Sequence, residues 1–320
     1  MQKECSISLR LYFLLFTVLL TSITFSQTVP PAPTSGGDSA LARHYRDCSE
    51  VCDIAEIPKY VQLTLQTVRP HLTQAVITNE SKNYYAAIAA TAINNLGFYF
   101  EHEGNRNEAL RFLKFAAFLQ KTIGDSKSLA VTLSNLGSVY ETGGDVKQAI
   151  AHYYNSLKIR EKINDLQGIA NVTHNLSNLH FSVGNIEVAS DYSKRALLKR
   201  RQLRDTSGVA FSYENLAILA AEQFDTASAI NYYNTAAKAF ERFGRKEYFA
   251  SALVCEGTAK HFQRDFITAR NNFEQAIAIY AEQNQLVQAS SVYNRLSDVE
   301  RYLRHFSKAI LYAEKAKELG

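Results

Sequence analysis

Three residues near the beginning of the chain have the types and the spacing of metal ligands. His44, Cys48 and Cys52 stand four residues apart in the segment HYRDCSEVC. On a helix this spacing places all three on one face, and imidazole and thiolate groups bind copper or zinc. No fourth ligand accompanies them, so the cysteines could instead form a disulfide in an oxidising compartment or be buried separately. We predict no cofactor and no metal, and name these three residues as the candidate ligands if a metal binds.

A second set of residues could bind the backbone of a peptide. Asparagine recurs at intervals of forty residues, at Asn95, Asn135, Asn175 and Asn215. Each carboxamide offers both a donor and an acceptor, so a row of them can pair with an extended chain without demanding a particular sequence. The alternative is that these side chains bond within their own array and fix the geometry between repeats. The row ends at Cys255 and Arg295.

Motifs of enzymes are missing from the sequence. It contains no glycine-rich phosphate loop, no HExxH, no calcium-binding loop and no GxSxG. His174 and His180 are expected on one helix, where lining a face is favoured over catalysis. We therefore predict that the protein is not an enzyme.

The asparagines belong to a repeat that covers most of the chain. Alanine recurs every forty residues, at Ala109, Ala149, Ala189, Ala229, Ala269 and Ala309. Two further columns of small residues keep this register, seven residues after each alanine and twelve before it. Small side chains at fixed points allow two helices to approach closely, and self-similarity at this period indicates a solenoid.

Each repeat has the pattern of two helices joined by a tight turn. Leu133, Leu136 and Tyr140 follow helical spacing, as do the apolar residues after Ala149. The residues Gly-Gly-Asp at 143–145 are suited to end the first helix and to cap the second. Each helix is therefore expected to carry one apolar stripe and one solvated face.

These features resemble the tetratricopeptide repeat family, in a long form of forty rather than thirty-four residues per repeat. The positions that this family uses for packing are occupied by Leu96, Gly97, Ala109, Leu110 and Ala116. The resemblance extends from about residue 85 to residue 320. It implies an all-α fold, a right-handed superhelical solenoid of antiparallel helix pairs whose first helices line the concave face.

The resemblance also implies a binding role for the asparagines, because peptide-binding members of the family hold the peptide backbone with asparagines at this position. Further residues expected on the concave face are Asn94, His174, Asn178, Glu214, Asn294 and Arg295. Some members clamp a terminal carboxylate with lysines and an arginine on the same helices. Since only Arg295 is comparable here, we expect no carboxylate clamp. We expect the partner to be a protein or an extended peptide.

The first residues of the chain have the pattern of a secretory signal peptide. Lys3 and Arg10 precede the apolar run LYFLLFTVLLTSITF. This run is shorter than the span of about 20 residues that a transmembrane helix needs. Cleavage before Gln27 would place the mature protein in the periplasm or outside the cell, and an uncleaved anchor is the alternative. We predict a signal peptide at 1–26, a flexible linker at 27–37, degenerate capping helices at 38–84 and six repeats at 85–320.

The charge of the chain gives no reason to expect nucleic acid as a partner. The formal net charge is +4, and loss of two basic residues and one acidic residue with the signal peptide would leave +3. The basic run from Lys194 to Arg204 is interpreted as a solvated helix end, with a docking stripe for an acidic partner or anionic lipid as the alternative. We expect no small-molecule substrate. We expect membrane association only if the signal segment is uncleaved or the chain continues.

Two hypotheses for the function follow. The first is a non-enzymatic, exported scaffold that binds a peptide or protein segment on its concave face. The second is the sensory, extracytoplasmic portion of a bacterial two-component receptor of the histidine kinase type, whose exported arrays the segment SLKIREKINDLQGIA resembles. No polar closing helix follows the last repeat, so in this second hypothesis the rest of the receptor would lie beyond Gly320.

Overall fold

The computed structural model describes residues 37–73, 79–242 and 246–319, and these residues are helical apart from short connections. The described part contains fourteen α-helices and one short 3-10 helix, and it contains no β-strand. The prediction of an all-α array of helices is therefore confirmed. The predicted signal peptide and nearly all of the predicted linker lie outside the described residues.

Two compact units divide the chain, and each is described by itself. Unit 1 ends at Ile163 and contains α1 (Gly37–Val51), α2 (Ile57–Thr73), α3 (Asn79–His102), α4 (Arg106–Ile123), α5 (Ser126–Thr142) and α6 (Val146–Lys162). Unit 2 begins at Asn164 and contains α7 (Leu166–Ser182), α8 (Ile186–Gln202), α9 (Thr206–Glu222), α10 (Thr226–Glu241), α11 (Lys246–Phe262), α12 (Phe266–Glu282), α13 (Leu286–Tyr302) and α14 (Phe306–Leu319). Each odd-numbered helix packs against the even-numbered helix that follows it. We call the odd-numbered helices A helices and the even-numbered ones B helices.

The columns of small residues lie where an A helix crosses its B helix. A Cβ atom added to Gly137 would come within 2.7 Å of the ring of Tyr153, so only glycine allows this approach. Where the column carries serine instead, the hydroxyl bonds to the B helix, as Ser177 Oγ donates to the carbonyl of Ala189 at 2.8 Å. Ala149 and Ala189 themselves are fully buried. The predicted close approach of paired helices is confirmed.

The turns between successive helices have the same backbone geometry, and they recur every twenty residues. The N-cap aspartates accept a hydrogen bond from the backbone N–H three residues on, as Asp145 does from Gln148 at 3.2 Å. The residue before each of these aspartates, and before Asn105, Asn185, Gln285 and His305 at the equivalent positions, has a left-handed backbone with φ between 54° and 80°. These residues are Gly104, Gly124, Gly144, Asn164, Gly184, Arg204, Phe224, Arg264, Asn284 and Arg304. Both the turn inside a repeat and the turn between repeats therefore use the same geometry.

The hairpin of α1 and α2 is continuous with the repeats of unit 1. Val61 and Leu65 of α2 share one buried cluster with Ala89 and Ile93 of α3. Helix α3 begins at Asn79, ahead of the residue at which the repeats were predicted to start. The division into capping helices and six repeats stays a prediction.

Candidate binding surface

The residues predicted to bind a peptide all lie on A helices. Because a B helix covers one side of each A helix, the opposite side can receive a partner. We call this side the A-helix face and describe it separately for each unit. In unit 1 it is formed by α1, α3 and α5, and in unit 2 by α7, α9, α11 and α13.

In unit 1 the A-helix face is held together by asparagines. Asn135 Nδ2 donates to Asn94 Oδ1 at 3.0 Å, and Thr132 Oγ1 donates to the same oxygen at 3.0 Å. Asn95 Nδ2 donates to Ser49 Oγ of α1 at 2.9 Å. Each of these bonds joins neighbouring A helices, so the asparagines fix the spacing of one repeat relative to the next.

In unit 2 a comparable network starts from His174. Its Nε2 lies 3.2 Å from Asn178 Nδ2, and Asn178 Oδ1 accepts from Asn215 Nδ2 at 3.3 Å. Asn215 Nδ2 also reaches Ser193 Oγ on a B helix at 3.3 Å. Burial, and secondarily the charge of Arg200, lowers the pKa of His174 below its usual range. This histidine is therefore a neutral member of the network at neutral pH.

The remaining predicted residues have more varied surroundings. Asn175 is half-buried and makes no side-chain hydrogen bond within the described part of the chain, and Asn294 is exposed. Arg295 Nη1 donates to Thr258 Oγ1 of the preceding A helix at 3.0 Å, the direction in which the asparagines of earlier repeats also bond. Burial raises the pKa of Glu214, and the charge of Arg295 partly opposes this shift.

Apolar side chains also stand exposed on this face. Phe98 is 44% exposed and Val131 is 40% exposed in unit 1. Phe98 lies one helical turn from Asn95, and Val131 lies one turn from Asn135, so each shares a side with an asparagine. A surface that mixes carboxamides with exposed apolar groups can bind both the backbone and the side chains of an extended segment.

A column of buried residues beneath the A-helix face was missed by sequence reasoning. Near the end of successive B helices it consists of Gln120, Arg160, Arg200, Phe240 and Tyr280, each nine-tenths or more buried. Arg200 Nη1 donates to the carbonyl of Gly208 at 3.1 Å and to Ser212 Oγ at 2.7 Å, which joins α8 to α9. The signal was present in the sequence, because these residues keep the same forty-residue register as the alanines.

The candidate metal ligands of α1 are not gathered into one cluster in the described part of the chain. Cys48 Sγ lies 3.7 Å from His44 Nε2, but no cluster of three or more suitable ligands exists within the described ranges. Cys48 and Cys52 are free thiols, and burial raises the pKa of each. A metal-binding cysteine is a thiolate, so these surroundings disfavour ligation.

Other sequence features have structural explanations. In the basic run, Arg200 is buried beneath the A-helix face, and Arg201 lies over the ring of Tyr213 with 5.5 Å between its guanidinium carbon and the ring centroid. None of the helices in the described ranges has the length and apolarity that crossing a membrane requires.

Comparisons with known proteins agree with this architecture. Residues 88–162 and 168–242 match the model of the tetratricopeptide repeat. A search of curated proteins finds no match.

Three solved structures illustrate the likeness of fold. The apo form of RapI is similar with a TM-score of 0.59 at 13% identity, over 87% of this chain and 76% of that one. A Rap protein complexed with Competence and Sporulation Factor is similar with a TM-score of 0.52 at 14% identity, over 87% of this chain and 96% of that one. A STAND signal-transduction ATPase with a tetratricopeptide repeat sensor from Pyrococcus horikoshii gives 0.62 at 16% identity, over 86% of this chain and 42% of that one.

The fold and the small-residue register thus define an all-α array of helical hairpins. The residues that match the family model are tetratricopeptide repeats, and the helices before and after them continue the same arrangement of hairpins. Repeats of this kind serve generally as scaffolds for protein–protein interaction and are generally not catalytic.

Proposed function

We propose that the protein is a non-enzymatic, exported scaffold that binds an extended peptide or protein segment along its A-helix face. The observation that carries the proposal is the exposure of Phe98 and Val131 beside the asparagines of the same helices. Exposed aromatic groups anchor partner side chains, while carboxamides can pair with a partner's backbone.

The asparagines of the row divide into two roles in this proposal. Asn95, Asn135 and Asn215 bond to other side chains of the array and shape the surface. Asn175 makes no such bond in the described part of the chain, so its carboxamide is available to a partner. Within unit 1 we therefore expect Phe98, and within unit 2 Asn175, to contribute more to binding than the bonded asparagines of the same unit do.

The similar structures support a binding role of this kind. A Rap protein of similar fold has been solved in complex with Competence and Sporulation Factor, which shows that in that protein the architecture holds a partner. For the present chain, the shared fold supports the proposal of a protein or peptide partner.

Binding is tested with peptides selected against the protein from a random library, with affinities measured by fluorescence anisotropy. Phe98→Ser should raise the Kd of a peptide that binds unit 1 by about tenfold or more, and Asn175→Ala should raise the Kd of a peptide that binds unit 2. Phe224→Ser is the matched control, because Phe224 is 92% exposed but lies in a turn outside the A-helix face. An unchanged Kd in both variants, or an equal loss of affinity in the control, would overturn the proposal.

Export rests on residues 1–26, whose basic start and short apolar run are those of a signal peptide. We propose that the mature chain begins at Gln27 and acts in the periplasm or outside the cell. The intact mass of the protein from its native source tests this. A mass that retains residues 1–26 would contradict cleavage.

A second candidate function is the sensory portion of a signalling receptor. One similar structure is described as a signal-transduction ATPase with a tetratricopeptide repeat sensor, and this chain corresponds to 42% of that protein. The same mass measurement separates the two candidates. A mass well above that of residues 27–320 favours the receptor, whereas a mass equal to it favours a free scaffold.

A further inference from the structure

A polar cavity of about 530 Å³ opens on the A-helix face of unit 1. Helices α1, α3 and α5 form its walls, and the side chain of Gln120 reaches it from the B helix α4. Its volume lies within the range of about 300–1,000 Å³ that is typical of small-ligand sites. It is therefore far larger than the space needed for a single bound water molecule.

The floor of the cavity contains a polar group without a partner. Gln120 is 1% exposed, and its Oε1 is buried and has no hydrogen-bond partner within the described residues. Leaving a buried polar atom unpaired costs about 1–3 kcal/mol, so a ligand that donates a hydrogen bond to this oxygen would remove that cost. Because this oxygen is an acceptor, a ligand that pairs with it must donate a hydrogen bond.

The walls of the cavity carry opposite charges. Glu50 of α1 and Lys127 of α5 both line it, and neither forms an ion pair within the described part of the chain. Arg46 lines it too, but its Nε already donates to Asp47 Oδ1 at 2.7 Å. The cavity is therefore lined by one uncompensated anion, one uncompensated cation and one carboxamide whose oxygen has no partner in the described residues.

We infer that this cavity binds a small zwitterion with α-amino-acid chemistry, either a free amino acid or a short peptide with free termini. The ligand's ammonium group would lie toward Glu50, its carboxylate toward Lys127, and a polar atom of the ligand would pair with Gln120. This ligand would be bound without being chemically converted. The inference therefore agrees with the prediction from the sequence that the protein has no small-molecule substrate.

Isothermal titration calorimetry with the full-length protein tests the inference, using the twenty free amino acids and a set of dipeptides as probes. We expect saturable binding of at least one probe, and at least about a tenfold loss of affinity when that probe is N-acetylated or methyl-esterified, since each change removes one charge. Binding by free amino acids identifies a metabolite, and binding by dipeptides alone identifies a peptide source. Absence of binding by every probe, or equal binding of the blocked derivatives, overturns the inference.

Variants locate the site. Lys127→Ala changes an exposed side chain and should weaken binding about tenfold with no loss of helicity.

Gln120→Leu should also weaken binding, yet raise the thermal midpoint of the ligand-free protein, because it removes the unpaired polar group. Gln283→Leu is the matched control, since Gln283 Oε1 is also unpaired in the described residues but belongs to unit 2. Unchanged affinity in Lys127→Ala would contradict the assignment, and peptide binding through Phe98 and Asn175 would be unaffected by that result.

Discussion

At the scale of single residues, the close crossing of α5 and α6 depends on Gly137. The ring of Tyr153 that faces it is 1% exposed, and the Tyr153 hydroxyl donates to Glu141 at 2.7 Å. The ring therefore cannot move aside when a Cβ atom is added. We predict that Gly137→Ala lowers the free energy of unfolding by about 1–3 kcal/mol, measured by urea unfolding. Lys147→Ala on the exposed side of α6 is the control, and equal stability of the two variants would contradict this view of the crossing.

His174 gives the protein a dependence of stability on pH. Its pKa is lowered in the folded state by burial and by Arg200, so the unfolded state takes up a proton more readily as the pH falls below about 6.5. The corresponding stability is present above that pH and is lost as the pH falls further. We predict that between pH 7.5 and pH 5.5 the wild type loses more stability than His174→Gln, in urea unfolding at several pH values. Parallel curves for the two proteins would refute the prediction.

The asparagine row shows what residue types alone cannot decide. A carboxamide suits a peptide backbone and a neighbouring side chain equally well. The choice depends on where the adjacent A helix places its own polar groups. Asn135 and Asn215 have partners within the array, whereas Asn175 has none in the described part of the chain. Peptide binding by the row stays a prediction.

At the scale of helices and turns, Phe224 stands in a backbone conformation that suits glycine. Its φ is 60°, and the equivalent residue one repeat earlier is Gly184, with φ 80°. This conformation destabilises a residue that has a Cβ atom by about 1–2 kcal/mol. Replacing it with glycine removes this strain, but part of the stabilisation is lost because glycine has more conformational freedom in the unfolded chain. Since Phe224 is 92% exposed, its removal loses little packing.

We therefore predict that Phe224→Gly raises the free energy of unfolding by about 0.5–1 kcal/mol. Gly184→Ala is the matched opposite change and should lower it by a similar amount. Urea unfolding of both variants checks the pair. A loss of stability in Phe224→Gly would show that the side chain contributes contacts that outweigh the backbone strain.

Sequence reasoning recognised only some of these turns. The glycines and the aspartate at 143–145 indicated a turn because their residue types favour one. Arg264 and Phe224 gave no such indication, because their types do not favour a left-handed backbone. The register supplied the missing information, since each of these residues stands forty residues from an equivalent turn.

At the scale of the whole molecule, the forty-residue period was enough to predict the fold. Small residues such as Ala149 and Gly137 must recur where helices cross, so their spacing predicts a repeated pair of packed helices. The polar cavity around Gln120 could not be predicted. It depends on side chains of four helices, α1, α3, α4 and α5, whose relative positions no local pattern records.

The A-helix face is proposed to bind an extended segment. The most direct measurement is photo-crosslinking, with a benzophenone placed at successive positions of a peptide that binds the protein, followed by mass spectrometry of the linked residues. We predict crosslinks on the A helices, at or next to Phe98 for a peptide that binds unit 1 and at or next to Asn175 for a peptide that binds unit 2. Crosslinks confined to B helices or to the turn at Phe224 would contradict it.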